Sequence, residues 1–151
     1  MVKKEKAIQY YEAVGRRKLA VATVRLYICA KNKKINLSKT EIGAGEIFVN
    51  GKQITKVFPS EAQKKQYMFP LNLTDSIERF AVSVIVRGGG VNGQIEAIVH
   101  GVSRALNLVD EGVYRATLKK HGLLRRDPRA RERRKVGMGG KARRAKQSPK
   151  R

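Results

Sequence analysis

The last 29 residues, Leu123 to Arg151, hold thirteen Lys/Arg, two acids and only four large apolar side chains: Leu123, Leu124, Val136 and Met138. A stretch with so little to bury cannot offset the entropy of ordering its own backbone, so it orders only against a partner. Any core must come from earlier in the chain. The expected division is a globular body over residues 1–122 and an extended Arg/Lys-rich C-terminal tail over residues 123–151. Body and tail each carry +11 of the total +22, so the tail has about four times the charge density. Such an excess repels itself in a compact state unless a polyanion neutralises it. Hydrophobic residues make up 41% of the chain, enough for a modest core in the body.

The body reads as mixed α and β. From Leu19 to Ile28, Ala20, Ala22, Val24, Leu26 and Ile28 alternate with Thr23, Arg25 and Tyr27, the pattern of a half-buried strand. Phe80, Val82, Val84 and Val86 mark a second strand, which runs into Arg87-Gly88-Gly89-Gly90. Val49-Asn50-Gly51-Lys52 is a tight-hairpin signal. Residues Lys31 to Gly45, polar and glycine-containing, read as a surface excursion. Ser60 and Gln63 suggest a capping box for a short helix through Met68, ended by Pro70. Ile95, Ile98, Val102, Ala105 and Leu106 form the apolar stripe of a helix from Asn92 to Leu106. Asp110 suits the cap of a last helix, Glu111 to Lys120, closed by Gly122.

Several function classes find no support. Cys29 is the sole cysteine and no Cys/His cluster has zinc-ligand spacing, so neither disulfide nor metal is expected, and no cofactor. The chain opens Met1-Val2-Lys3-Lys4-Glu5 without a following apolar segment, and no apolar run reaches about eighteen residues, so neither a signal peptide nor a membrane span is expected. A cytoplasmic protein is the plain expectation. Gly88-Gly89-Gly90-Val91-Asn92-Gly93 matches the dinucleotide fingerprint between a strand and a helix, with Asp110 further on. A dinucleotide fold needs a buried strand after that helix, yet Leu106-Asn107-Leu108-Val109-Asp110 runs straight into another helix. The same turn, with Arg87 beside it and backbone N–H groups exposed, suits an RNA phosphate. His100 and His121 belong to no catalytic arrangement, and the chain is not expected to be an enzyme.

The basic clusters point to nucleic acid. In the tail they are Arg125-Arg126, Arg129, Arg131, Arg133-Arg134-Lys135, Lys141-Ala142-Arg143-Arg144, Lys146 and Lys150-Arg151. Arginine's planar fork donates two parallel hydrogen bonds to one phosphate, and interleaved Gly and Ala residues let the backbone approach closely. Extended at about 3.3 Å per residue, such a tail reaches ~95 Å, against a body roughly 35 Å across. A solvated tail or a localisation signal is the competing reading, and the recurrence of clusters over the full length favours RNA. Gly15-Arg16-Arg17-Lys18, placed just before the first strand, either grips phosphate or forms a solvated turn.

These residues resemble one family, the bacterial form of the small-subunit ribosomal protein S nine. The motifs run in order: Ala13-Val14-Gly15-Arg16-Arg17-Lys18, Val49-Asn50-Gly51-Lys52, Phe58-Pro59, then Val86-Arg87-Gly88-Gly89-Gly90 with Gly93-Gln94. Ala97-Ile98, His100-Gly101 and Arg104-Ala105-Leu106 follow, then Gly122-Leu123-Leu124, Arg126-Asp127, Arg129, Glu132-Arg133-Arg134-Lys135 and Lys141-Ala142-Arg143-Arg144-Ala145. The resemblance implies an α+β fold: a two-layer α/β sandwich with a mixed sheet and a left-handed βαβ crossover, plus the extended basic tail. It implies a structural role in the small ribosomal subunit, on rRNA of the head and beside other head proteins, with no membrane. The tail would run toward peptidyl-site tRNA, and Lys150 and Arg151 would touch that tRNA.

The expected rRNA-binding set is Arg16, Arg17, Lys18, Arg87, Gly88, Gly89, Gly90, His100, Arg104, Arg125, Arg126, Arg129, Arg133, Arg134, Lys135, Lys141, Arg143 and Arg144. A free-standing RNA-binding or RNA-chaperone protein is the alternative; a plastid or mitochondrial ribosome is the alternative setting. The chain departs from the family's usual ending, Gln-Phe-Ser-Lys-Arg, with Gln147-Ser148-Pro149-Lys150-Arg151. It is also glycine-richer at Gly137-Met138-Gly139-Gly140 and longer over Lys31 to Gly45.

Overall fold

The computed structural model describes residues 9–29, 34–37 and 40–131. Their elements are β1 (Tyr10–Arg17), β2 (Ala20–Ile28), β3 (Ile35–Leu37), β4 (Thr40–Ile42), β5 (Ile47–Val49) and β6 (Lys52–Gln53). They continue with α1 (Ile54–Val57), α2 (Glu61–Leu73), β7 (Phe80–Arg87), α3 (Val91–Val109) and α4 (Glu111–Lys120). One sheet has the order β1-β2-β7-β5-β6. It is mixed: β7 pairs antiparallel with β2 and parallel with β5. The crossover from β5 to β7 passes through α1 and α2.

The alternation in β2 and β7 produces the core. Ala20, Ala22, Val24 and Leu26 of β2 and Phe80, Val82, Val84 and Val86 of β7 are buried with the α3 stripe of Ile95, Ile98, Val102, Ala105 and Leu106. Each large aliphatic or aromatic side chain removed from water contributes about 1.5–3 kcal/mol, so this layer carries most of the stability. At the β5–β6 turn Asn50 and Gly51 take φ of 50° and 78°, as the hairpin signal requires. Asn50 also prolongs the ladder with its side chain. Its Nδ2 donates to the Val86 carbonyl at 3.1 Å, and its Oδ1 accepts from the Val86 N–H at 3.0 Å.

Three sequence expectations are revised. The excursion at Lys31 to Gly45 contains the paired strands β3 and β4. Ile42 is buried with Tyr27, Cys29 and Ala81 on the sheet face opposite α3, where Ile35 and Phe48 also pack. Second, Pro70 lies inside α2 rather than ending it, and Ser60 makes no side-chain cap. Proline removes one helix hydrogen bond, but Tyr67, Pro70 and Leu71 are all buried, and that packing outweighs the loss. Third, Gly15-Arg16-Arg17 does not precede the first strand; it is the end of β1.

β1 escapes a hydrophobic-alternation search because its helix-facing positions are small or polar, and the reason is a close crossing with α3. A Cβ built on Gly15 would overlap the Ala97 carbonyl oxygen and lie 2.8 Å from the Gly101 Cα. A Cβ on Gly101 would lie 2.6 Å from a methyl of Val24. Both glycines let two backbones meet where a side chain has no room.

At the far end, the Asp110 carboxylate accepts the Val113 N–H at 3.1 Å and caps α4, and Gly122 ends the helix with φ of 71°. Leu123 and Leu124 then pack against the main core. Among the described residues, no helix is long and apolar enough to cross a membrane.

Candidate nucleic-acid interface

The β1–β2 hairpin tip and the glycine turn after β7 are built against each other. Lys18 turns the chain with φ of 51°, and Leu19 beside it is 83% exposed. Gly88 and Gly89 both have positive φ, and a Cβ on Gly88 would lie 2.6 Å from the Leu19 carbonyl oxygen. Their small size serves this packing. Gly90, by contrast, precedes α3 in an extended conformation with nothing near its missing Cβ. Asp110, the acid a dinucleotide site would aim at ribose, is occupied as a helix cap, which counts against that rival.

Three exposed cations surround this end of the sheet: Arg16, Lys18 and Arg87. The register aligns Arg16 with Val21 and Val21 with Arg87, so the two arginines stand on one sheet face about 10 Å apart. Val21 between them and Ile85 in the next row are also exposed. Paired cations flanking apolar surface can hold phosphates while a base or sugar lies between.

The other predicted cations of this region are engaged by the chain itself. Arg17 meets Glu96 through its Nε, lies 3.1 Å from the Asp127 carboxylate through Nη2, and donates from Nη1 to the Arg129 carbonyl at 2.5 Å. Its side chain is 11% exposed. Arg104 donates to the Val14 carbonyl at 2.6 Å, and the Arg16 N–H donates to Nδ1 of His100 at 3.2 Å. His100 and Arg104, one turn apart on α3, thereby cap backbone groups of the edge strand β1, a standard protection of sheet edges.

The Leu124 backbone also lies beside His100, so the ring sits between β1 and the chain after α4. Burial holds its pKa below the ordinary 6.5; the Leu124 carbonyl opposes this, and the nearby Arg104 and Arg126 charges reinforce it. A depressed histidine pKa favours folding above the ordinary value, and that contribution is lost as pH falls below 6.5. The melting temperature should therefore fall between about pH 7.5 and 5.5, and His100→Gln should flatten that slope. Equal slopes in the two proteins would remove His100 from this role.

Past Leu124, Arg125, Arg126, Arg129 and Arg131 are all exposed. Asp127 holds the segment's shape: it accepts the Arg129 N–H at 2.9 Å and pairs with the Arg129 guanidinium at 2.8 Å. Those bonds and the nearby Arg17 hold its carboxyl well below the usual range. Arg133, Arg134, Lys135, Lys141, Arg143, Arg144, Lys150 and Arg151 lie outside the described residues. Sequence reasoning missed Glu96 and Asp127. For Asp127 the available signal was an acid set between Arg126 and Arg129, in a chain with only twelve acids; Glu96, between Ile95 and Ala97, carried none.

Residues 15–151 match the family described as Ribosomal protein S9/S16. The chain belongs to the ribosomal protein S9/S16 family. Two curated relatives from strains of Dehalococcoides mccartyi, each called small ribosomal subunit protein uS9, are 42% identical over 142 residues. Those residues are 94% of this chain and 96% of each relative. Members of the S9/S16 family are structural, non-enzymatic proteins of the ribosome, and a bacterial-type small subunit is the setting of this chain. Membership also accounts for the motif order, including the Gly15–Gly101 crossing and the Asn50 turn, which a generic basic protein does not require.

Proposed function

We propose that the chain binds rRNA in the head of the small subunit, next to other head proteins, and extends residues 123–151 along that RNA toward peptidyl-site tRNA. The observation that supports this most is the abrupt change at Leu124. Packing ends there, and four exposed arginines follow within seven residues, Arg125 to Arg131. They continue the cationic surface of Arg16, Lys18 and Arg87 rather than forming a core of their own. In this reading the body over 1–122 sets the docking position. The arginine-rich segment supplies reach, with Lys150 and Arg151 as the tRNA contact.

Removal of residues 148–151 tests the last step. Small subunits should still incorporate the shortened chain, while peptidyl-site tRNA affinity drops about tenfold, the scale of one or two lost charge-assisted hydrogen bonds. Undiminished tRNA affinity in those ribosomes would refute the tRNA contact. Absence of the full chain from small subunits after a high-salt wash would refute the ribosomal docking itself and favour a free-standing RNA-binding protein.

A further inference from the structure

We propose that Arg17 is a positioning residue and not an RNA ligand: with Glu96, His100 and Asp127 it forms a socket that sets the direction of residues 124–131 before RNA is bound. The proposal rests on the RNA-binding reading above and specifies which cations of the surface do not take part in it.

Saturation of the arginine is the first observation. All three guanidinium nitrogens have partners within the chain, and two of those partners are carboxylates. A phosphate approaching Arg17 would have to displace an acid, and would meet the negative charge of Glu96, half exposed at 51%. The fork is also nearly buried, whereas Arg16 and Lys18 on either side of it are exposed. The same cluster is thus divided between two tasks.

Its place in the chain is the second. Arg17 ends β1, Glu96 lies in α3, and Asp127 and Arg129 belong to the segment after α4. One side chain ties together three pieces that are 79 and 112 residues apart in sequence. Charges alternate through the socket as Glu96, Arg17, Asp127, Arg129. His100 stands beside the same segment, accepting the Arg16 N–H with the Leu124 backbone next to its ring.

The use of acids is the third. The protein carries net +22, and each carboxylate near its cationic surface weakens attraction for a polyanion. Two acids at the root of the most basic segment oppose RNA affinity electrostatically. Their geometry supplies a compensating effect: a segment already oriented loses less conformational freedom on binding.

The test compares two substitutions in the full chain that change net charge in opposite directions. Arg17→Met removes one positive charge; Asp127→Ala removes one negative charge. In the free protein, hydrogen exchange at residues 123–131 should quicken about tenfold in both, with β2 and β7 unaffected. Both should bind a small-subunit head rRNA fragment about threefold or more weakly, with an unchanged salt slope. Arg17→Lys keeps the charge without the fork, and should behave like Arg17→Met.

Tighter binding by Asp127→Ala, or a slope reduced by about one in Arg17→Met, would make Arg17 a direct phosphate ligand and overturn the socket. Faster exchange with unchanged affinity would also overturn it. Failure of the unsubstituted chain to bind the fragment is a separate outcome: it defeats the RNA-binding reading and with it the purpose of the socket.

Discussion

Replacing Gly15 with alanine should cost about 3 kcal/mol or more of folding stability, because the new methyl enters backbone on the opposite side. Overpacking is usually relieved by a rotating side chain. Here the atoms met are the Ala97 carbonyl and the Gly101 main chain, inside a helix that cannot rotate locally. Relief requires α3 to move off β1, and Ile95, Ile98 and Val102 move with it. Since small domains are stable by only about 5–15 kcal/mol, much of the margin is at risk. Gly90→Ala is the control, with open space around the missing Cβ, and should stay within about 1 kcal/mol. Urea unfolding of both variants decides the point; a Gly15→Ala loss below about 1 kcal/mol would mean the backbones are not held together so closely.

RNA affinity should fall by four to five powers of ten between about 50 and 200 mM salt, if roughly ten phosphates are neutralised. The slope of log affinity against log salt would then be about −9 on duplex-like RNA and about −7 on single strands. Enough cations exist for this. Arg16, Lys18, Arg87, Arg125, Arg126 and Arg131 are exposed among the described residues, and the remaining bases of the tail add to them. Arg17 is left out of the count because chain atoms already occupy all three nitrogens of its fork. A filter-binding or fluorescence titration at four salt concentrations suffices. A slope near −2 would show that the arginine-rich segment does not lie along phosphates.

Much of the fold could be read from residue patterns, where one physical signal acted alone. β2 and β7 followed from strict alternation, α3 from its stripe, and α4 from Asp110 and Gly122. β1 could not be read this way. Tyr11, Ala13, Gly15 and Arg17 face the helix layer, yet no run of apolar residues marks that face, because Ala13 and Gly15 are kept small where α3 fills the space and Arg17 is charged. Pro70 misled for a similar reason, since burial of its neighbours decided the helix and propensity did not. For the interface, sequence identified the cationic neighbourhood but could not separate outward from inward charges. Arg16, Arg17 and Lys18 look equivalent in a string of letters; only the arrival of Glu96 and Asp127 distinguishes the middle one.

The strand order bears on how the protein is made. β7 occupies the middle of the five-stranded sheet, yet it is the last strand of the described chain to be synthesised. Until it emerges, β1 and β2 form a lone hairpin, and β5 has no strand on its parallel side. An isolated hairpin is marginal in water, so the nascent body has no stable sheet before residue 87 and no covering layer before α3 is complete at residue 109. The body should therefore form late and in a single step during translation. The arginine-rich segment leaves the synthesising ribosome only after that step, when the surface that will hold its root already exists.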